Sequence, residues 1–231
     1  MKVVVGVLAL QGAFIEHITY FKKSTESGYE NYDFEFVEVR TPSELSRCHA
    51  LVIPGGESTT MSLVAESNGL LDPISKFVNS EKPVWGTCAG LIFLSREVVN
   101  GKPNQKILGG LDIQVKRNAF GRQLDSFEID LDLSSFIPSV KEFPTVFIRA
   151  PVISKLLQSH QEKENQVRDI IYTANEKRNI SPLEVLCKLS DGFIVAVRQG
   201  HILGTSFHPE LSDDHRFHKW FIDEFVIKSL R

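Results

Sequence analysis

The sequence predicts an α/β fold: a mostly parallel sheet with helices on both faces. Three observations carry the prediction. The chain opens on a continuous β-branched run, Val3–Leu10, of the kind found in strands covered on both sides. Its first half alternates strand-like and helix-like segments, as βαβ units do. Its strands are punctuated by Gly and Pro, most clearly where Ala50–Ile53 stops at Pro54-Gly55-Gly56.

The elements follow in order. After Val3–Leu10, Gln11-Gly12 breaks the run and Ala13 to Lys23 reads as an amphipathic helix. Ser24–Asp33 is polar and contains Gly, so it reads as a loop. Phe34–Arg40 alternates as a second strand, and Ala50–Ile53 is a third. Ser58 or Thr59 is placed to cap a helix through Met61, Leu63 and Val64. Pro83–Gly86 is a short fourth strand, and Ala89–Arg96 a helix.

The second half is richer in strands: Leu111–Val115, Phe127–Leu131, Thr145–Ile148, Val185–Leu189, Phe193–Val197 and Ile202–Phe207. Asp191-Gly192 reads as a hairpin turn and Gln199-Gly200 as a second tight turn. A last helix spans Asp213 to Leu230. The stretch 158–181 is long, polar and weakly patterned, as an exposed surface insertion would be. No repeat, low-complexity tract or flexible linker interrupts the chain, so residues 1–231 read as one domain.

Bulk properties narrow the function. With 231 residues, the chain suits one domain of ordinary size and can bury a full core without staples. Its 26 basic and 29 acidic residues leave a net charge of −3, without the basic excess that neutralising phosphates requires, so nucleic acid is set aside. Three cysteines, Cys48, Cys88 and Cys187, are too few and too irregular for a disulfide framework or a structural zinc site. A reducing, cytoplasmic setting is the expectation. The apolar N-terminal run is too short to span a membrane and lacks the flanks of a signal peptide.

Gly86-Thr87-Cys88-Ala89-Gly90 follows a strand and opens a helix. This is the nucleophile-elbow pattern with Cys in place of Ser. The nucleophile stands on a sharp turn, and glycines on either side remove side chains that would clash there. The helix N-terminus favours the thiolate, and the Ala89 N–H can face an oxyanion. Cys48 and Cys187 lack this context and read as small buried hydrophobes.

A cysteine nucleophile needs a base. His208-Pro209-Glu210 lies at the end of a strand, and Pro209 favours an extended conformation at His208. Residues two apart on extended chain project to the same side. Glu210 can then orient the imidazole while its other nitrogen faces Cys88, which is triad logic. A metal site of His208, His215 and His218 is the weaker alternative, because no zinc-type spacing supports it. His17, His49, His160 and His201 read as surface or core residues.

Together the elbow, the His208-Pro209-Glu210 trio and the Pro54-Gly55-Gly56-Glu57-Ser58 loop resemble class I (triad) glutamine amidotransferases. Further stretches resemble the glutaminase subunits of pyridoxal 5′-phosphate synthase. These are Leu10-Gln11-Gly12, Gly55 through Met61, Arg117-Asn118-Ala119-Phe120-Gly121-Arg122-Gln123, Phe147-Ile148-Arg149-Ala150-Pro151 and Ser206 through Glu210. The resemblance covers nearly the whole chain in order and implies a single-domain, three-layer, flavodoxin-like sandwich. It implies L-glutamine as substrate, no cofactor or metal, and ammonia passed to a separate barrel-shaped synthase subunit. It assigns Cys88 as nucleophile, His208 as acid/base and Glu210 as its orienter. It matches Gly56, Glu57, Ser58, Arg117, Ile148 and Arg149 to glutamine-holding positions, and Gln11 to the oxyanion region with Gly56 and Ala89.

The residues alone are compatible with this. Arg117 or Arg149 can bind an α-carboxylate and Glu57 an α-ammonium, although such an Arg is more often structural and a Gly-Gly pair more often a plain turn. Ser24–Asp33, Gly101–Lys106 and 158–181 exceed the compact family pattern; surface additions that leave the catalytic set untouched are expected. The alternatives are a cysteine hydrolase acting alone, a catalytically silent assembly subunit, and a glutaminase of another pathway.

Overall fold

The computed structural model describes residues 1–118, 126–157 and 169–231. The elements of the first half are β1 (Lys2–Leu8), α1 (Phe14–Ser24), β2 (Asp33–Val39), α2 (Pro42–Ser46), β3 (Ala50–Ile53), α3 (Ser58–Ser67), α4 (Leu71–Val78), β4 (Val84–Thr87) and α5 (Ala89–Leu94). The second half adds β5 (Ser95–Val99), β6 (Leu111–Lys116), β7 (Ser126–Leu131), β8 (Phe143–Ile148), β9 (Val152–Leu156), β10 (Ile170–Tyr172), β11 (Leu183–Lys188), β12 (Ile194–Gln199) and β13 (Ile202–Thr205). The chain closes on α6 (Arg216–Phe221), which widens into a π-helical stretch, Ile222–Ile227, and a last turn, Lys228–Leu230.

Among the described residues eleven strands form one sheet, in the order β10-β5-β6-β9-β12-β13-β4-β3-β1-β2, with β11 also paired to β12. The half that carries β2, β1, β3, β4 and β13 is parallel throughout. Strands β7 and β8 form a separate antiparallel ribbon.

The continuous apolar run of β1 has a direct cause. Val4 and Leu8 point into one core with Met61, Ala65, Ile74 and Phe77, whereas Val3, Val5 and Val7 point into another with Phe21, Phe217 and Phe221. Successive strand residues face opposite sides, so a sheet with a core on each face needs apolar residues at every position. Trp85 on β4 centres the second core, ringed by Phe217 and Phe221.

Several expectations need correction. The helix read over Ala89–Arg96 stops at Leu94, and β5 follows at once. Helices α2 and α4 and strands β9 and β10 were not foreseen from the sequence. The last helix begins at Arg216 rather than Asp213. Glu57, not Ser58 or Thr59, caps α3: its carboxylate accepts from the Thr59 and Thr60 N–H groups.

Of the expected insertion 158–181, residues 158–168 lie outside the described residues. The rest is surface chain tied into the fold. Strand β10 pairs with β5, and the carbonyls of Asn175 and Lys177 accept from the buried guanidinium of Arg96. No helix among the described residues is long and apolar enough to cross a membrane.

Candidate active site

The site lies at the carboxyl ends of four neighbouring parallel strands, where open α/β sheets place their ligand crevices. Gln11 follows β1, Gly55-Gly56 follows β3, Cys88 follows β4 and His208 follows β13. Register sets the last pair side by side: Thr87 pairs with Thr205, and the Cys88 N–H donates to the Thr205 carbonyl at 2.8 Å.

Cys88 sits at φ 47°, ψ −99°, a left-handed conformation that an L-residue adopts at a cost. The turn lifts its sulfur off the sheet at the start of α5. Ala89 is the first residue of that helix, so its N–H has no partner within the helix. A side chain on Gly90 would run into the Ile53 carbonyl at 2.0 Å, which is why the helix can lie so close to β3.

Cys88 and His208 lie side by side at the ends of β4 and β13, and His208 Nδ1 lies 2.8 Å from Glu210 Oε1. All three residues are buried. Burial opposes a charge on His208, but its hydrogen bonds to Cys88 and Glu210 outweigh burial and push its pKa up to about 10. Burial likewise opposes the Glu210 carboxylate, and its histidine neighbours, His17 and His208, more than offset it, so its pKa lies below the carboxylate norm. Burial drives His17 itself down to about 3, so the positive charge that Glu210 meets is on His208. Burial pushes the Cys48 thiol to about 11 and raises that of Cys187.

The Gln11 side chain grips the glycine loop. Its Oε1 accepts from the Glu57 N–H at 2.8 Å, and its Nε2 donates to the Gly55 carbonyl at 3.5 Å. Gly56 sits at φ 138° with Gln11 where a side chain would stand. On the other wall, the ribbon of β7 and β8 reaches the site through the His208 N–H, which donates to Val146 O at 2.8 Å. The Cys88 thiol lies 3.9 Å from Ile148 O, and Arg149 next to it is at φ 44°.

Of the expected glutamine-holding residues, Ile148 and Arg149 lie on this wall, whereas Glu57, Ser58 and Arg117 lie together by the glycine loop and all three are already engaged. Glu57 caps α3 and meets Arg117 Nη2 at 3.0 Å. Burial would raise its pKa; hydrogen bonds from Thr60 and Thr59 hold it down at about 2. Ser58 is buried and its hydroxyl accepts from Gln105 Nε2 at 3.1 Å, so its side chain faces inward. Gln105 Oε1 in turn accepts from Arg117 at 3.2 Å. The segment 101–106 is therefore not a detached surface addition: its one buried amide bridges Ser58 and Arg117. Of the motif that begins at Arg117, Ala119, Phe120, Gly121, Arg122 and Gln123 lie outside the described residues.

Two residues of this array were read otherwise from the sequence, His17 as a surface or core residue and His218 as part of the alternative metal site. His17 and His218 are fully buried behind Glu210. The one signal for His17 was its place on the buried face of α1, four residues before Phe21, and it reads equally well as core packing. Among the described residues no group of three metal-ligating side chains is assembled.

Residues 7–227 match the SNO glutamine amidotransferase family. The pyridoxal 5′-phosphate synthase subunit SNO1 of Saccharomyces cerevisiae is 47% identical over 225 residues, covering 96% of this chain and 93% of the relative. The pyridoxal 5′-phosphate synthase subunit PdxT of Dehalococcoides mccartyi is 43% identical over 218 residues, covering 94% and 95%. A crystal structure described as a glutamine amidotransferase superposes with a TM-score of 0.74 at 40% identity, covering 95% of this chain and 97% of that one. A thiol on an elbow, a His–Glu pair beside it and a match along almost the entire chain agree, and the protein is a member of the SNO glutamine amidotransferase family.

Proposed function

We propose that this chain is the glutaminase subunit of a pyridoxal 5′-phosphate synthase, hydrolysing L-glutamine through Cys88, His208 and Glu210 and passing ammonia to a barrel-shaped synthase subunit. The observation that carries the reading is that the strained Cys88 elbow at the end of β4 stands beside the buried His208–Glu210 hydrogen bond at the end of β13.

The chemistry is acyl transfer. His208 takes the thiol proton, and the Cys88 sulfur attacks the side-chain carboxamide carbon of glutamine. The tetrahedral oxyanion is met by the Ala89 N–H and by backbone of the Gly55-Gly56 loop; losing one such donor costs ~10²–10³ in rate. His208 then protonates the leaving nitrogen, ammonia departs and a thioester remains. Water, deprotonated by His208, attacks the thioester, glutamate leaves and the thiol is restored. The buried Glu210 carboxylate holds His208 with Nδ1–H toward itself, which leaves Nε2 for the sulfur and the substrate.

Arg117, held by Glu57, supplies a guanidinium for the α-carboxylate of glutamine at the rim. Ile148 and Arg149 form the facing wall, where the left-handed backbone at Arg149 turns the chain at the site. Gln11 fixes the peptides on both sides of Gly56, so a partner that moves the β1–α1 loop changes the oxyanion region.

The test is glutamate release from glutamine by the purified chain, alone and with a pyridoxal 5′-phosphate synthase barrel subunit, with Cys88→Ala as the blank. Release that rises with the partner and vanishes in Cys88→Ala is the expected result. No release with a partner shown to bind would reduce the chain to an assembly subunit.

A further inference from the structure

Behind the Cys88–His208–Glu210 array, the structure holds a second chain of polar groups that the hydrolytic steps do not use. His17, on α1, and His218, on α6, are both fully buried, and His17 Nδ1 lies 2.9 Å from His218 Nε2. His17 Nε2 lies 3.4 Å from Glu210 Oε2 and 3.4 Å from Thr87 Oγ1. Glu210 Oε2 is buried and has no hydrogen-bond partner among the described residues. A buried carboxylate oxygen left unpartnered calls for an explanation.

The proton positions follow from the partners. His218 Nδ1 also lacks a partner, so the single proton of a neutral His218 belongs on Nε2, where an acceptor waits. His218 Nε2–H then donates to His17 Nδ1. That fixes the proton of His17 on Nε2, the nitrogen that faces Glu210. Burial supports the neutral forms, since it pushes both rings down to about 3.

We infer that His17 is a positioning residue: its Nε2–H, shared with Thr87 Oγ1, restrains Glu210 Oε2 while His208 takes Oε1, and His218 sets the tautomer that makes this possible. The inference rests on the proposed roles of His208 and Glu210. Every titratable group facing His17 is accounted for. Glu210 and His208 approach from the segment after β13, and His218 from α6. Tyr20, on α1 itself, packs edge-on against His218, and His215 lies beyond His218. Thr87 and Trp85 on β4 and Phe21 on α1 complete the wall.

Without His17 the Glu210 carboxylate is free to turn from its place against His208 Nδ1, so the His208 imidazolium loses part of its partner and releases its proton at lower pH. The shift expected from losing one hydrogen bond to a charged group is about one pH unit or more. His17→Leu removes the donor and keeps much of the volume; His17→Gln keeps an N–H donor; His218→Phe releases the tautomer of His17.

The first readout is the titration of His208 by NMR of ¹⁵N-histidine-labelled protein in a Cys88→Ala background, where the sulfur no longer titrates with the ring. The second is the pH profile of kcat and KM for glutamine in the intact enzyme with its synthase partner. A His208 midpoint that falls in His17→Leu and recovers in His17→Gln supports the inference. So does an alkaline limb of kcat that moves to lower pH at unchanged KM. An unmoved His208 midpoint in a folded His17→Leu protein overturns it, whatever happens to the rate, because packing alone does not set a proton affinity. If His17→Leu does not fold, His218→Phe is read in the same way: a fall supports the inference and no change overturns it. Absence of turnover in the wild-type complex would count against the glutaminase reading, while the NMR titration still decides the role of His17.

Discussion

The His208 ring fills the space where a side chain on Gly55 would stand. A Cβ built on Gly55 would lie 2.2 Å from His208 Cε1 and 2.8 Å from Nδ1. Gly12 is as tightly placed, since a Cβ there would lie 1.8 Å from the Gly55 carbonyl oxygen. The loops after β1, β3 and β13 therefore close on one another at glycine, and the position of the imidazole is set by what Gly55 lacks.

Gly55→Ala is expected to push His208 away from Cys88 while the sheet below stays folded. A displacement of about 1 Å at a reacting group can cost ~10²-fold in rate. The measurement is glutamate release together with a circular dichroism melt. Wild-type turnover in a folded Gly55→Ala protein would show that the loop yields and that the ring does not depend on it.

Glu57 offers a different prediction, because it joins a helix cap to the site rim. Its pKa is held at about 2 against an ordinary 4.5, so it contributes stability above pH 4.5 that is lost as the pH falls toward 2. Glu57→Ala removes the cap of α3, worth about 1 kcal/mol, and leaves Arg117 without its carboxylate partner. The expected result is a lower melting temperature near neutral pH and a smaller further loss than wild type between pH 4.5 and 2. Parallel pH curves for the two proteins would rule out this role for Glu57.

What could be read from the sequence follows from how local each signal is. The elbow at Cys88 is legible because strand, turn and helix N-terminus fall within a few consecutive residues. His208 and Glu210 are legible because they lie two positions apart around a proline, although a 3-10 turn over Pro209–Leu211, not the expected extended chain, brings Glu210 to the ring. Strand β5 was hidden: Ser95-Arg96-Glu97 looks like the polar end of a helix, but Arg96 faces inward to Asp112 and the chain is already extended. The cap of α3 was misread because Ser and Thr are the commoner caps and Glu57 precedes both. The pairing of His17 with His218 spans 201 positions, and a lone histidine among apolar residues carries no mark of its partner.

Arg96 ties the second half of the sheet together. Its Nε lies 2.7 Å from Asp112 Oδ1, and its other nitrogens donate to the carbonyls of Gly109, Asn175 and Lys177. Arg96→Met would leave Asp112 buried with only Arg178 and Gln199 at its oxygens, and three carbonyls short of a donor. Breaking one side of such a buried pair costs about 3 kcal/mol or more. Urea unfolding is expected to show a midpoint lowered accordingly. A loss of only a few tenths would mean that water or Arg178 replaces the guanidinium.

The buried histidines also predict the shape of stability against pH. Burial depresses His17 and His218 to about 3 from an ordinary 6.5. Between those values the unfolded chain binds their protons and the native protein does not, so stability falls as the pH drops below 6.5. Each such group contributes a slope of about 1.4 kcal/mol per pH unit where it is fully differential. His201 is lowered by burial in the same sense. His208 acts oppositely: raised to about 10, it contributes stability that is complete below 6.5 and lost as the pH rises toward 10. Stability is therefore expected to peak near pH 6.5 and to decline on both sides. His218→Phe should remove one proton from the acid slope and, by releasing the tautomer of His17, start the alkaline decline at lower pH as the His208 midpoint falls. Chemical unfolding from pH 4.5 to 9 measures both limbs. An acid slope unaltered by His218→Phe would mean that His218 keeps its proton in the native protein and does not contribute to the acid limb.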